Sequence, residues 1–144
     1  MDEIYHQALK LLRRRDYTAA QLREKLISTF GEVPEETIEV LQKKRFLDDA
    51  RYASNFVNKR PDSHPARVRD ELLASGISAE IIEHALAGYK WPSLQHVVRT
   101  KMNEWKLHAP IHRRELNRLY RTLSHLGYPE DEIREELEQL HEQQ

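Results

Sequence analysis

Residues 17–42 have the sequence YTAAQLREKLISTFGEVPEETIEVLQ, in which one glycine separates two stretches of helix-forming residues. Leu22 and Leu26 lie four positions apart before the glycine, so they share one face of a helix. Gly31 can take the left-handed conformation that ends a helix, and Pro34 with the glutamates after it suits the start of another. The stretch therefore predicts a helix, a glycine turn and a second helix.

The same pattern recurs twice along the chain. Residues 63–86 (SHPARVRDELLASGISAEIIEHAL) and 113–140 (RRELNRLYRTLSHLGYPEDEIREELEQL) each place apolar residues four apart before a glycine and acidic residues after it. A further predicted helix precedes each pair, in EIYHQALKLLRRR, DDARYASNFVNKR and SLQHVVRTKMNEW. The sequence therefore predicts an all-α fold of three tandem three-helix repeats, helix-turn-helix-like and in an elongated, curved arrangement. The predicted repeats are residues 1–47, 48–90 and 91–144.

Composition limits the classes of function. The 144 residues contain no cysteine, which excludes disulfides, thiolate metal sites and a cysteine nucleophile. There is no glycine-rich phosphate loop, nucleophile elbow or cluster of metal ligands, so an enzyme is the least favoured class and no cofactor is expected. The start of the chain lacks the order of a signal peptide, and no apolar run is long enough to cross a bilayer. We therefore expect a cytoplasmic protein without membrane contact.

Positive charge is concentrated in the N-terminal half. Residues 1–60 contain 12 Lys and Arg against 10 Asp and Glu, whereas residues 109–144 contain 5 against 8. Basic residues bunch at 13–15 and 43–45, and such bunches can neutralise the phosphates of single-stranded or double-stranded DNA. The alternative for each residue is a solvated charge on an exposed helix face. The predicted contact residues are Arg13, Arg14, Arg15, Arg23, Lys25, Lys43, Lys44 and Arg45, with Arg67 and Arg69 as a second patch.

Two adjacent aspartates follow the second basic bunch, in KKRFLDDARYASNFVNKR (residues 43–60). Asp48 precedes the apolar pattern that includes Tyr52 and Phe56, so its carboxylate is suited to cap the free amides of a helix, while Asp49 lies in the first turn. A paired-carboxylate catalytic site needs further groups to hold a substrate, and the sequence offers none. We therefore interpret the aspartates as part of the fold, and the two aromatic residues as core rather than a base-stacking platform.

Three stretches together resemble the RecX family of recombination regulators. FLDDARYASNFV (46–57) is similar to the family's aromatic-Leu-Asp-Asp segment followed by Arg, an aromatic residue and Ala. ARVRDELLASGIS (66–78) resembles the basic-position, Glu-Leu, small-Gly-Ile stretch of the second repeat, and ALKLLRRRDYTAAQLREKL (8–26) resembles the opening repeat. The matching positions are Leu47, Asp48, Asp49, Arg51, Tyr52, Ala53, Phe56, Leu72, Gly76 and Ile77.

The resemblance implies a non-enzymatic regulator that binds the RecA recombinase along its nucleoprotein filament. Such a regulator restrains ATP hydrolysis and strand exchange in DNA repair and recombination. The chain departs from the family where PDSHPAR (61–67) replaces a glycine often found before the second pair of helices. Its acidic end, EELEQLHEQQ (135–144), disfavours a DNA contact by the last helix.

Two alternatives stay open at this stage. Each helix pair across a glycine resembles a DNA-binding helix-turn-helix, whose second helix enters the major groove. The second helices, PEETIEVLQKKR, SAEIIEHAL and PEDEIREELEQL, begin with acidic residues where base contacts are needed, which disfavours this alternative. The other alternative is a helical-repeat scaffold for an unrelated partner.

Overall fold

The computed structural model describes residues 2–142, in which nine α-helices and no β-strand are present. The first six helices are α1 (Glu3–Arg14), α2 (Ala19–Phe30), α3 (Glu35–Lys43), α4 (Asp49–Asn58), α5 (Pro65–Ala74) and α6 (Ala79–Ala87). The last three are α7 (Leu94–Glu104), α8 (Arg113–His125) and α9 (Glu130–Glu142). The all-α prediction is confirmed, and the helices follow in the predicted order.

The helices form two compact units. Unit 1 consists of Met1–Lys59 and Arg69–Tyr89, and unit 2 consists of Arg60–Val68 and Lys90–Gln144. Helix α5 therefore begins in unit 2 and continues in unit 1. Among residues 2–142, no helix combines the length and the apolar character that a membrane crossing requires.

The core of unit 1 is built from aliphatic side chains of α1, α2 and α3. Leu22 and Leu26 are completely covered, so the predicted apolar face of α2 is the buried one. Full burial of a side chain of this size stabilises the fold by about 1.5–3 kcal/mol. Helix α4 packs against α6, and both bury small or aliphatic residues there. The core cluster of the first three helices consists of Ala8, Leu11, Ala19, Leu22, Leu26, Ile38, Leu41 and Leu47.

Three glycines follow helices at left-handed backbone positions, as predicted. The φ angles are +84° at Gly31, +85° at Gly76 and +101° at Gly127. Two of these glycines also permit a close approach: a Cβ atom at Gly76 would lie 2.4 Å from Cβ of Ala20, and one at Gly127 would lie 2.5 Å from Cβ of Arg67. A Cβ at Gly31 would meet nothing within 4 Å. Gly31 is therefore required only for the backbone conformation of its turn. Gly76 and Gly127 are required both for the turn and for close packing of a neighbouring residue.

The N-terminus of α2 is held by side chains and backbone from several elements. The buried Thr18 hydroxyl accepts a hydrogen bond from the Gln21 amide at 3.0 Å and donates one to the Ser75 carbonyl at 2.6 Å. The Gln21 side chain in turn accepts from the Thr18 amide at 3.0 Å, which completes a capping box. The Ala19 amide donates to Oδ1 of Asp49, at the start of α4, at 2.9 Å.

We call this set of contacts the α2 junction; its members are Thr18, Ala19, Ala20, Gln21, Asp49, Ser75 and Gly76. It joins the start of α2 to the start of α4 and the end of α5, all within unit 1. The amides at a helix start have no partner inside the helix, so each of these bonds satisfies a group that would otherwise need water. The start of α2 is therefore well ordered only while α4 and α5 are in place.

Unit 2 has its own core, to which the 60–68 segment is tied. The backbone amide of His64 donates to the Leu126 carbonyl at 2.9 Å, and the Tyr128 hydroxyl donates to the Asp62 carbonyl at 3.2 Å. Lys101 forms an ion pair with Asp62 at 3.2 Å. Burial, followed by the carboxylates of Asp62 and Glu132, raises the pKa of Tyr128 to about 12. The buried core residues are Val97, Val98, Ile111, Leu119, Leu123, Tyr128, Ile133 and Leu137.

Replacing Gly76 by alanine should destabilise the chain more than the same change at Gly31. Both substitutions place a side chain at a positive φ, which costs about 1–2 kcal/mol. The Gly76→Ala change also forces its new methyl group into Ala20, and overpacking of this kind adds about 1–3 kcal/mol. Urea unfolding of both variants measures the difference, and equal losses of stability would contradict the close packing of α5 on α2.

Ionisation of Tyr128 should give a step near pH 12 in an absorbance titration of the 6 tyrosines, while Tyr120, whose pKa burial also raises, contributes a separate late ionisation. The folded state favours the neutral phenol, because its pKa of about 12 lies above the unfolded value of about 10. This contribution to stability is complete below pH 10 and is lost as the pH rises towards about 12. The Tyr128→Phe variant should lack the step near pH 12, and Tyr120→Phe should retain it. Persistence of that step in Tyr128→Phe would contradict the assignment.

Candidate partner-binding surface

The α3–α4 loop reverses the chain directly after the second basic bunch. Helix α3 ends at Lys43, and Arg45 has a φ angle of +66°, a left-handed value that is uncommon outside glycine. The amides of Phe46 and Leu47 both donate to the Leu41 carbonyl, at 2.9 and 3.1 Å. Leu47 is buried in the core cluster, so the loop is anchored at its end while Arg45 points outward.

The residues that follow Leu47 hold this loop and the start of α4 in place. Asp48 accepts a hydrogen bond from the Arg51 amide at 3.0 Å, so the predicted helix cap is confirmed. The Arg51 guanidinium donates back to the carbonyls of Arg45 at 3.0 Å and Phe46 at 3.5 Å. Asp49 lies in the first turn as predicted, and its bond to α2 was not predicted from the sequence. The Leu-Asp-Asp segment therefore has a structural role, and it determines the shape of the α3–α4 loop.

The remaining residues of the RecX-like pattern line the interior of unit 1. Ala53, Leu72 and Ile77 are buried, and Gly76 belongs to the α2 junction. The aromatic rings of Tyr52 and Phe56 are half-buried and stack on each other, with centroids 6.2 Å apart and an interplanar angle of 18°. Helix α4 buries Ala53 and Val57 completely and so turns these aromatic residues to the edge of the core.

The two basic bunches meet at a groove of about 310 Å³ in unit 1. We call it the α1 groove; it is lined by Leu9, Leu12, Arg13, Asp16, Arg45, Phe46 and Arg51. Leu9 and Leu12 are half-buried and pack against the core cluster, whereas Phe46 is 45% exposed. The groove therefore has an apolar floor, three arginines at its sides and one carboxylate.

Two further residues of the predicted contact set, Lys44 and Arg15, directly adjoin groove residues in the sequence. The Lys44 ammonium is 5.6 Å from the centroid of the Tyr5 ring on α1, and the Arg15 guanidinium is 4.2 Å from the centroid of the Tyr17 ring. Cations over aromatic faces are held in position without losing their charge. Arg14, Lys25 and Lys43 are exposed.

Two further predicted contact residues form close ion pairs within the protein, and a third packs against a glycine. Arg23 pairs with Glu35 and Arg69 pairs with Glu83, each at 2.7 Å. The hydrogen bond to Glu83 raises the pKa of the Arg69 guanidinium and lowers the pKa of the Glu83 carboxyl. The aliphatic stem of Arg67 lies against Gly127 in unit 2. The charges of Arg23 and Arg69 are thus compensated, and Arg67 has a packing role.

The structure offers little support for a helix-turn-helix or a metal site. The second helix of each pair begins with carboxylates: Glu35 and Glu36 in α3, Glu80 in α6, and residues 130–132 in α9. Negative side chains at these helix starts would repel DNA phosphates where a recognition helix contacts bases. Within residues 2–142, no three or more His, Asp or Glu side chains converge as metal ligands would.

Sequence reasoning missed the apolar floor of the α1 groove. From the sequence alone no role is assigned to Leu9 or Leu12, and Phe46 is included only as the first residue of the RecX-like segment 46–57. A usable signal was present, because Phe46 lies directly after three basic residues and outside any helix face that is buried. The Thr-x-x-Gln spacing of Thr18 and Gln21 was a second signal, since it is a capping-box pattern.

Comparison with known proteins places the chain in one family. The evidence comes from individual relatives, because no family model matches the chain. It is 34% identical to regulatory protein RecX of a Thermus thermophilus strain over 124 residues, which cover 85% of this chain and 81% of that protein. It is 35% identical to regulatory protein RecX of Pseudomonas tolaasii over 133 residues, which cover 88% of this chain and 84% of that protein.

Two solved structures share the fold. The crystal structure of RecX from Lactobacillus salivarius superimposes with a TM-score of 0.65 at 22% identity, over 96% of this chain and 94% of that chain. A second crystal structure of regulatory protein RecX gives a TM-score of 0.59 at 20% identity, over 95% of this chain and 70% of that chain. These likenesses confirm the predicted fold of tandem three-helix repeats. Because the identities to the curated relatives extend over most of both sequences, the chain belongs to the RecX family of regulatory proteins.

Proposed function

We propose that this chain binds the nucleoprotein filament of the RecA recombinase and lowers its ATP hydrolysis and strand exchange. As a RecX-family protein it is a regulator of RecA rather than an enzyme. The observation that carries the proposed contact surface is the meeting of two separate basic bunches, through Arg13 and Arg45, at one groove of unit 1. The predicted cytoplasmic location is part of the same proposal, since RecA acts there on bacterial DNA.

A protein without catalytic groups can slow an ATPase by binding one state of it more tightly than another. A ligand that prefers one of two arrangements of an ATPase shifts the population towards that arrangement. The largest possible shift equals the difference in binding free energy between the two states. Charged side chains on a firmly held loop suit this role, because their positions change little when they bind.

Direct DNA contact belongs to the proposal as its electrostatic part. Arg14, Arg15 and Lys43 follow or adjoin the groove residues in sequence and can neutralise phosphates of single-stranded or double-stranded DNA. Sequence-specific recognition is not proposed, since the acidic first turns of the second helices disfavour base contacts. The predicted contacts of Arg23, Lys25, Arg67 and Arg69 remain predictions; Arg23 and Arg69 would first have to exchange their glutamate partners.

The test is the single-stranded-DNA-dependent ATPase rate of RecA, titrated with the parent chain and two double variants. The parent should lower the rate. The Arg13→Gln/Arg45→Gln variant should need about tenfold more protein for the same inhibition, which corresponds to a loss of about 1.4 kcal/mol of binding. Arg113→Gln/Arg114→Gln removes the same charge from exposed positions of α8 and should change the titration by less than about twofold.

Circular dichroism of the variants checks that the helices are retained. An unaltered ATPase rate with the parent would contradict the proposed function, and equal effects of the two double variants would contradict the proposed surface. Titration of a fluorescein-labelled oligonucleotide without RecA, at two salt concentrations, measures the DNA part separately. Affinity that does not fall with salt would exclude phosphate contacts.

A further inference from the structure

Arg45 occupies a backbone position that favours glycine. Five residues among 2–142 have positive φ angles: the three glycines that end helices, together with Arg45 at +66° and Lys106 at +56°. A side chain at such a position costs stability that glycine would avoid. Residues held at a cost to the fold concentrate at sites where the side chain has another use.

Contacts of the Arg45 side chain within the fold offset little of this loss of stability. It is 80% exposed, and its guanidinium lies 3.7 Å from Asp48, which is beyond hydrogen-bond distance. Exposed ion pairs of this kind contribute little to stability. Arg51, by contrast, donates to the carbonyls of Arg45 and Phe46 and so helps to hold the left-handed residue in place. The protein therefore stabilises a loop that presents Arg45 to solvent at the edge of the α1 groove.

The chemistry of the α1 groove indicates the kind of partner that fits it. Leu9, Leu12 and Phe46 form an apolar floor, and exposed Phe46 gains from being covered. The guanidinium groups of Arg13, Arg45 and Arg51 outnumber the Asp16 carboxylate of the lining and the Asp48 carboxylate beside Arg45. An apolar side chain flanked by carboxylates complements both properties, since arginine forms bidentate bonds with carboxylates.

Single-stranded nucleic acid fits the groove less well than a peptide. Surfaces that bind single strands offer several aromatic faces for successive bases, whereas Phe46 is the one aromatic residue that lines this groove. Two aliphatic side chains, Leu9 and Leu12, make up the rest of the floor. The volume of about 310 Å³ suits a large side chain with its neighbours rather than a run of nucleotides.

A larger groove, of about 480 Å³ between α4 and α6, carries no comparable preference. Asp48 and Glu80 line it opposite Arg51 and His84. The two carboxylates leave no excess of arginine charge there, so this groove lacks the preference for an acidic partner.

We infer that the α1 groove is a docking site for an acidic peptide segment with one large apolar side chain, and that Arg45 is kept at its left-handed position to bind a carboxylate of that segment. The inference rests on the proposed function in one respect: the segment is taken to be part of the RecA protomer. It adds the chemistry of the contact, and it identifies Arg45 as the residue whose strained backbone positions the binding group.

The first experiment separates stability from binding with three variants. Arg45→Gly and Lys106→Gly both relieve a left-handed residue, so both should raise the urea midpoint of unfolding. Arg45→Ala keeps the backbone cost and removes the charge. Binding of the fluorescently labelled chain to RecA filaments should weaken about tenfold for both Arg45 variants and change by less than about twofold for Lys106→Gly.

Opposite effects of Arg45→Gly on stability and on binding support the inference. Filament binding of both Arg45 variants at parental affinity would overturn the docking site while leaving the regulatory function intact. A lower urea midpoint for Arg45→Gly would overturn the claim that the side chain is held at a cost. If the parent itself failed to bind filaments, the proposed function would fail, and with it the assignment of the segment to RecA.

The second experiment identifies the occupant. A photoreactive benzoylphenylalanine replaces the exposed Phe46, and the cross-linked product formed on RecA filaments is analysed by mass spectrometry. We expect a RecA peptide that contains at least one apolar residue flanked by Asp or Glu. A cross-link to DNA, to a peptide without carboxylates, or to a second copy of this chain would overturn the inference, as would the absence of any cross-link while the ATPase remains inhibited.

Discussion

The hydrogen bond from the Ala19 amide to the Asp49 carboxylate is the interaction on which unit 1 depends. A helix start leaves amides without partners, and here one of them is satisfied by a residue thirty positions later in the chain. The Thr18 hydroxyl adds a bond to the end of α5, and the contact of Ala20 with Gly76 leaves no room for a side chain. Three helix ends are thereby held at one place.

The shape of the α3–α4 loop follows from this constraint. Asp49 is bound to α2, so the neighbouring Asp48 is in position to cap α4 and Arg51 is in position to reach back to the loop carbonyls. Arg51 then fixes the turn at Arg45, which borders the α1 groove. The pattern most typical of the family is therefore structural. In the proposed docking site it acts indirectly, because it determines where Arg45 and Phe46 lie.

Local patterns were sufficient for much of the fold. The four-residue spacing of Leu22 and Leu26 gave the buried face of α2, and the glycines gave the helix ends, because both depend on nearby backbone geometry. The Asp48 cap was predictable for the same reason. The bond of Asp49 to α2 was not, since a local pattern carries no information about which distant amide lies within reach.

For the candidate site, too, the local features could be predicted from the sequence and the contacts between distant residues could not. The basic bunches are visible in the sequence, but their meeting at one groove depends on the packing of α1 beside the α3–α4 loop. Pairing of Arg23 with Glu35 and of Arg69 with Glu83 removed two residues from the uncompensated charges. A count of basic residues cannot identify Arg23 and Arg69 as paired, because their partners lie on other helices.

Hydrogen exchange of the Ala19 amide, followed by NMR, tests the central claim most directly. If the α2 junction holds unit 1 together, this amide should exchange as slowly as the core amide of Leu26, although it begins a helix. The first-turn amide of Glu36 serves as the control, because α3 begins after Pro34 with no side-chain cap, and it should exchange fast. Fast exchange at Ala19 beside a protected Leu26 would contradict the account.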